Sequence, residues 1–263
     1  MKRKIKNSVV SIVAIGTLAV WVSGVSAALL TNVTTSTVVV YDNFETASEV
    51  SHSAYPDTSV DADPVGITGT WSITEGSTGG NGTTYPQIQV TDYATPGASE
   101  GNNYLRINRP TDEGAFTHGD LNGERQTSGT VHLEIMTYVK QADKTSAFVS
   151  LIDGSTVIST VYWYYNGKLV TYVNGYRLIG SGITYAVNEW KKLEMNYVIG
   201  SDTVEVIYDN GTPQTIDVRN QTSGVTGLNV GTGRGTESYF DAVPEPATIG
   251  LFGLSALTFL RKR

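Results

Sequence analysis

The segment from Thr130 to Lys140 constrains this chain most. Val131, Leu133, Ile135, Thr137 and Val139 alternate with His132, Glu134, Met136, Tyr138 and Lys140. That period of two belongs to a strand with one face buried and one wet. Such a strand needs a sheet around it and a second layer to cover it. Other short β-branched or aromatic runs predict strands at Val38 to Phe44, Trp71 to Thr74, Gln87 to Tyr93, Asn103 to Asn108 and Ser146 to Ile152. Further on, the runs Trp190 to Ile199, Thr203 to Tyr208, Gln214 to Val218, a short piece near Leu228, and Tyr239 to Val243 read the same way. Gly, Asn and Asp turns separate them, and no sustained 3.6-residue pattern occurs between the two ends of the chain. The expectation is one all-β domain, an antiparallel sandwich.

The ends read as addresses. Lys2, Arg3, Lys4 and Lys6 precede an apolar stretch from Val9 to Val22, and Val25-Ser26-Ala27 supplies the small residues of a cleavage site. Residues 1–27 are therefore expected to be a signal peptide, and residues 28–37, rich in Thr, a loose leader. At the other end, Val243-Pro244-Glu245-Pro246 is followed by an uncharged run from Ala247 to Leu260 and by Arg261-Lys262-Arg263. A helix of that length spans about 21 Å, short of the ~30 Å hydrocarbon core. The basic end should stay on the cytoplasmic side.

This three-part tail resembles a PEP-CTERM sorting signal, carried by Pro244, Glu245 and Pro246. The resemblance implies export and recognition by an exosortase-type protease, with the membrane engaged through the tail, a short transmembrane helix over 244–263, before processing. The expected destination is the cell envelope, cell surface or extracellular matrix.

Composition narrows the chemistry. There are no cysteines, which excludes thiol catalysis, Cys-ligated zinc and a disulfide framework. The chain has 18 basic and 25 acidic residues; seven basic residues and Glu245 lie in the two end segments, leaving 11 against 24, a net charge of −13 for residues 28–243. That argues against nucleic acid and against anionic lipid as partners. It suits neutral glycans and divalent cations.

Two Asn-Gly pairs, Asn166-Gly167 and Asn174-Gly175, predict two-residue hairpin turns in a three-stranded meander from Val157 to Ile179. Counting from those turns sets Tyr165 opposite Lys168, Trp163 opposite Val170, and Tyr172 opposite Arg177. One face then carries Trp163, Tyr165, Lys168, Tyr172 and Arg177, a mixture of rings and basic heads suited to stacking on sugars and bonding their hydroxyls. The other, with Tyr162, Tyr164, Leu169, Val173, Tyr176 and Leu178, is expected in the core.

Tyr41-Asp42-Asn43-Phe44-Glu45, Trp163-x-Tyr165-Asn166-Gly167-Lys168-Leu169, Asn188-Glu189-Trp190 and Tyr239-Phe240-Asp241-Ala242-Val243 together resemble the concanavalin A-like, or LamG-like, jelly roll, over residues 38–243. The resemblance implies two antiparallel sheets, a glycan- or protein-binding role, and in some members an enzyme. It also implies a structural Ca²⁺ where first and last strands meet, with Asp42, Glu45 and Asp241 as ligands.

Other motifs carry less. Gly97-Ala98-Ser99-Glu100-Gly101 has the spacing of a nucleophile elbow but precedes a strand instead of a helix. Asp61-x-Asp63 starts like an EF-hand loop and fails at Val65 and Ser72. Gly231 to Gly235 is Gly-rich but opens no helix. His132, Glu134 and Tyr138, with Glu194 and Asn196, form the set a glycoside hydrolase or polysaccharide lyase would use, without the motif of either. The expected role is a non-catalytic, lectin-like module binding glycan or exopolysaccharide. A secreted glycan-active enzyme and a structural matrix protein without a ligand site are the alternatives.

Overall fold

In the computed structural model, residues 28–42, 67–68, 70–74, 87–91, 97–98, 104–109, 117–233, 236–241 and 243 are described. Among them every regular element is a strand. In order come β1 (Ala28–Asn32), β2 (Thr37–Asp42), β3 (Ile67–Thr68), β4 (Thr70–Thr74), β5 (Gln87–Thr91), β6 (Tyr104–Arg109), β7 (Thr117–Gln126) and β8 (Thr130–Val139). Then follow β9 (Ala147–Asp153), β10 (Thr156–Tyr164), β11 (Lys168–Tyr172), β12 (Tyr176–Leu178), β13 (Trp190–Val198), β14 (Thr203–Tyr208), β15 (Gln214–Asp217), β16 (Val225–Thr232) and β17 (Thr236–Asp241).

They form two antiparallel sheets. One runs β15-β14-β13-β8-β1-β2-β3, with β17 on β8 and then β6 and β5 beyond it. The other runs β12-β11-β10-β9-β16-β7-β4. The alternation in β8 does what its pattern demands: Val131, Leu133 and Ile135 are sealed in the core, while His132, Glu134 and Met136 stay half-buried on the outer side. From the facing sheet come Val149, Leu151, Val161, Trp163, Leu169, Leu228 and Val230, which close the same core. This two-layer antiparallel sandwich is the expected jelly roll.

A second aromatic cluster lies on the outer side of the larger sheet. Tyr104, Tyr138 and Tyr239 meet edge to face at 5.5 Å between centroids, and Trp190 joins them. The Trp190 indole donates to the Gly97 carbonyl at 2.9 Å, which pins the loop at Gly97-Ala98 over the rings.

Residues 28–37 are not a loose leader. β1 sits inside the sheet, paired with β2 on one side and with β8 on the other. The short run Leu29-Leu30 carries too little pattern to read as a strand, but Leu30 is fully buried opposite Leu133. Asn32 holds the following turn by accepting from the amides of Thr34 and Thr35.

β7 and most of β16 also exceed what the sequence reading predicts. Both are Gly-rich, which reads as loop. Here glycine marks close approach instead. A Cβ on Gly123 would stand 1.9 Å from the Val39 carbonyl oxygen, so β7 and β2 of the opposite sheet touch through backbone at that point.

β17 and β1 lie end to end along one edge of β8. Asp241 takes the slot opposite Met136, and Leu29 the slot opposite Glu134. Ala28 in turn pairs with Asp42. The expected signal peptide, Glu45 and the sorting tail with Pro244, Glu245 and Pro246 lie outside the described residues. Among the described residues no helix is long and apolar enough to cross a membrane.

Candidate functional site

The meander turns are one residue longer than expected. Tyr164 pairs with Lys168 around the three-residue loop Tyr165-Asn166-Gly167, and Tyr172 pairs with Tyr176 around Val173-Asn174-Gly175. In the first loop the Gly167 amide donates to the Tyr164 carbonyl at 3.0 Å and Gly167 takes φ 73°. This is the three-residue hairpin loop that ends in a left-handed glycine. In the second, Asn174 and Gly175 take φ 52° and 126°.

One extra residue per loop reverses the side-chain assignment, because strand faces alternate. Trp163 pairs with Leu169 and is 0% exposed in the core. It is not on a binding face. Arg177 pairs with Thr171, on the inward side of the strand, and reaches Asp217 of the other sheet at 3.3 Å. It too leaves the expected set. Tyr172 and Lys168 remain outward, and Tyr165 stands 54% exposed in its loop.

The outward side instead carries Tyr162, Tyr164, Tyr172 and Tyr176, the rings expected in the core together with one from the expected face. Tyr176 is the hub, with centroid distances of 5.5 Å to Tyr162, 4.6 Å to Tyr164 and 5.2 Å to Tyr172. Tyr165 lies 4.2 Å from Tyr164. Phe148 extends the row 5.7 Å beyond Tyr162. The Arg219 guanidinium sits over Tyr172 at 5.1 Å. Lys168 is turned aside, donating to the Gly182 carbonyl at 3.0 Å and to Thr184 Oγ1 at 2.5 Å.

The face is open at the meander end, where Tyr176 is 43% and Leu178 52% exposed. It is closed at the other end, where Ser150, Thr160 and Asn229 are buried and Ser150 bonds Thr160 at 2.8 Å. Burial pushes the Tyr162 hydroxyl above its usual pKa, with the neighbouring Tyr176 adding to it. Burial and the Tyr165 hydroxyl do the same to Tyr164. Both phenols are therefore neutral donors at neutral pH.

A second polar cluster stands on the outer side of the larger sheet, where β8 and β13 pair Glu134 with Glu194 and His132 with Asn196. His132 Nε2 lies 2.7 Å from Glu134 and 3.9 Å from Glu194; its Nδ1 lies 2.6 Å from Asn196 Oδ1. Asn196 Nδ2 donates to Glu205 at 2.8 Å, which fixes the amide so that its oxygen faces the ring. Lys192 holds the other Glu194 oxygen at 2.7 Å. Burial works against a charged ring, but the bonds to Glu134 and Asn196 outweigh it and raise the His132 pKa. The same bond to His132 draws the Glu134 pKa down.

Of the expected calcium ligands, Asp241 is 0% exposed at the end of β17. Asp42 ends β2 and is placed by its backbone opposite Ala28. Backbone register thus brings both positions to one seam, while Glu45 lies outside the described residues.

The PEP-CTERM protein-sorting motif family matches residues 242–263. No curated protein matches the chain. Among solved structures, a sialidase is similar at a TM-score of 0.50 and 9% identity, over 67% of this chain and 17% of that one. The chain thus spans less than a fifth of that protein. An alginate lyase from Corynebacterium sp. gives a TM-score of 0.41 at 15% identity, over 60% and 80% of the two chains. The carbohydrate-binding module CBM66 from Bacillus subtilis gives 0.36 at 15%, over 65% and 95%. At such identities the likeness is one of fold. The sorting motif marks the chain for export and exosortase processing at the cell surface. The chain thus joins a PEP-CTERM sorting motif at residues 242–263 to an antiparallel, two-sheet jelly roll.

Proposed function

We propose that this exported protein is a non-catalytic glycan-binding module of the cell envelope or extracellular matrix, and that it binds through the tyrosine face of β10, β11 and β12. The observation that carries the reading is the Tyr162–Tyr164–Tyr172–Tyr176 cluster on the outward side of β10, β11 and β12, at one end of the smaller sheet. Aromatic side chains are a large apolar asset that a fold normally encloses. Three of them gathered around Tyr176 on an outer face, with Arg219 across one ring, suit the flat faces and hydroxyls of sugar rings.

A structural calcium at the Asp42–Asp241 seam belongs to the same proposal. What supports it is backbone register, which sets Asp42 opposite Ala28 and Asp241 opposite Met136 where β1 and β17 meet along β8. The glycan-active enzyme is a weaker alternative. Its acid–base pair would be Glu134 and Glu194, yet His132 and Lys192 already engage them.

The test is a glycan array probed with the purified chain. Saturable binding to a polysaccharide class, unaccompanied by cleavage of it, supports the module. Cleavage supports the enzyme, and a silent array leaves the structural matrix protein.

A further inference from the structure

The outer side of the larger sheet holds a cluster that the glycan reading does not use. His132 Nε2 and one oxygen each of Glu134 and Glu194 all lie within 4.8 Å of one another. We propose that His132, Glu134 and Glu194 form a binding site for a zinc-type divalent cation.

The geometry around the ring supports it in three ways. First, the Asn196 amide is locked by its bond to Glu205, so His132 Nδ1–H donates to a fixed oxygen. That is the outer contact which orients a metal-binding imidazole and leaves Nε2 as the atom on which an ion would replace the proton. Second, Glu134 Oε1 at 2.7 Å and Glu194 Oε2 at 3.9 Å both face Nε2, so a cation that displaced the ring proton would meet two carboxylates. Third, Thr31 pairs with His132 from β1, and its hydroxyl oxygen is enclosed without a hydrogen-bond partner. An uncommitted oxygen therefore adjoins the cluster from the neighbouring strand.

The donor set selects the class of ion. One imidazole and two carboxylates suit zinc, cobalt or manganese; calcium takes oxygen ligands alone. The ligands come from two adjacent strands of a rigid sheet, which holds their spacing without any loop. Lys192 at 2.7 Å from Glu194 competes for that carboxylate. Its removal should therefore tighten the site, the opposite of what loss of a merely structural ion pair would do.

The experiment is a titration of the purified full chain in detergent with CoCl₂, followed by visible absorption, and with ZnCl₂ by calorimetry. Stoichiometric binding with cobalt d–d bands that zinc abolishes is expected. Affinity should fall at least tenfold in Glu194→Gln, vanish in His132→Gln, and rise several-fold in Lys192→Ala. Circular dichroism of each variant separates loss of the site from loss of the fold. Absence of saturable binding in the unaltered chain, or undiminished binding in a folded His132→Gln, overturns the proposal.

Discussion

Trp163 of one sheet meets Tyr208 of the other edge to face, with 6.1 Å between ring centroids and 70° between planes. The pair spans the sandwich, so the largest side chain of the meander ties the two layers together. Tyr208 is itself nearly enclosed, and its hydroxyl is pushed up to about 12 by burial.

Replacing Trp163 with alanine removes that bridge and leaves a cavity. Loss of a fully buried ring costs about 3–5 kcal/mol. Urea denaturation of Trp163→Ala should give an unfolding free energy lowered by that amount, with the slope unchanged. A shift under 1 kcal/mol would place the indole on the surface.

Glu237 gives the fold a specific acid sensitivity. It bonds Arg106 of β6 at 2.5 Å, the Tyr239 hydroxyl at 2.5 Å, and Lys140, which also lies 5.3 Å from the centre of the Tyr239 ring. Burial alone would raise its pKa; the bonds to Lys140, Tyr239 and Arg106 overcome that and hold it at about 2. A folded-state pKa below the unfolded one stabilises above the unfolded value and loses that contribution as pH falls. Wild type should therefore lose stability between about pH 4.5 and pH 2 more steeply than Glu237→Gln. At pH 7 the variant should be less stable by about 2 kcal/mol, a figure reduced for partial solvent screening. Parallel melting curves across that pH range would rule the network out as a source of stability.

The calcium expectation is tested at Asp241. An ion bound only to the folded state raises stability by about 2.7 kcal/mol at a hundredfold excess over Kd. Chelation with EGTA should lower the melting temperature, and Asp241→Asn should abolish the difference between calcium and chelator. Superimposable curves in calcium and in EGTA would remove the ion from the seam.

Sorting is separable from folding. Replacing Pro244, Glu245 and Pro246 with alanines should leave export intact and block processing, read by mass spectrometry of the surface fraction. A mature C-terminus identical to that of wild type would contradict exosortase recognition.

The sandwich was legible because β8, β13 and β14 carry alternation, and their apolar positions Val131, Leu133, Ile135, Leu193, Met195, Val204 and Val206 are all buried. The binding face was half legible. Asn166-Gly167 and Asn174-Gly175 correctly mark two hairpin turns, but the dipeptide does not distinguish a two-residue loop from a three-residue one. That single residue carried Trp163 inward and Tyr176 outward. Composition offered no correction, since Tyr162, Trp163, Tyr164 and Tyr165 are consecutive aromatic residues and either parity gives an aromatic face. β7 was invisible for another reason: Leu121 is the one large aliphatic residue in ten, and Gly119 and Gly123 look like loop until the opposing backbone is seen against them. The His132 cluster was visible as outward residues of β8 with Glu194 and Asn196, but Glu205 comes from β14 through register that no local motif encodes.

The central claim is that the tyrosine face, and not the Trp163 side of the meander, meets the ligand. The direct measurement is the affinity of Tyr176→Ala for whichever polysaccharide binds the unaltered chain, taken together with its melting temperature. Tyr176 is the hub of the cluster and 43% exposed. Its loss should cost about 1 kcal/mol or less in stability. It should weaken binding about tenfold to thirtyfold, the loss of about 1.4–2 kcal/mol of ring contact. Unchanged affinity in a folded Tyr176→Ala protein would contradict the account.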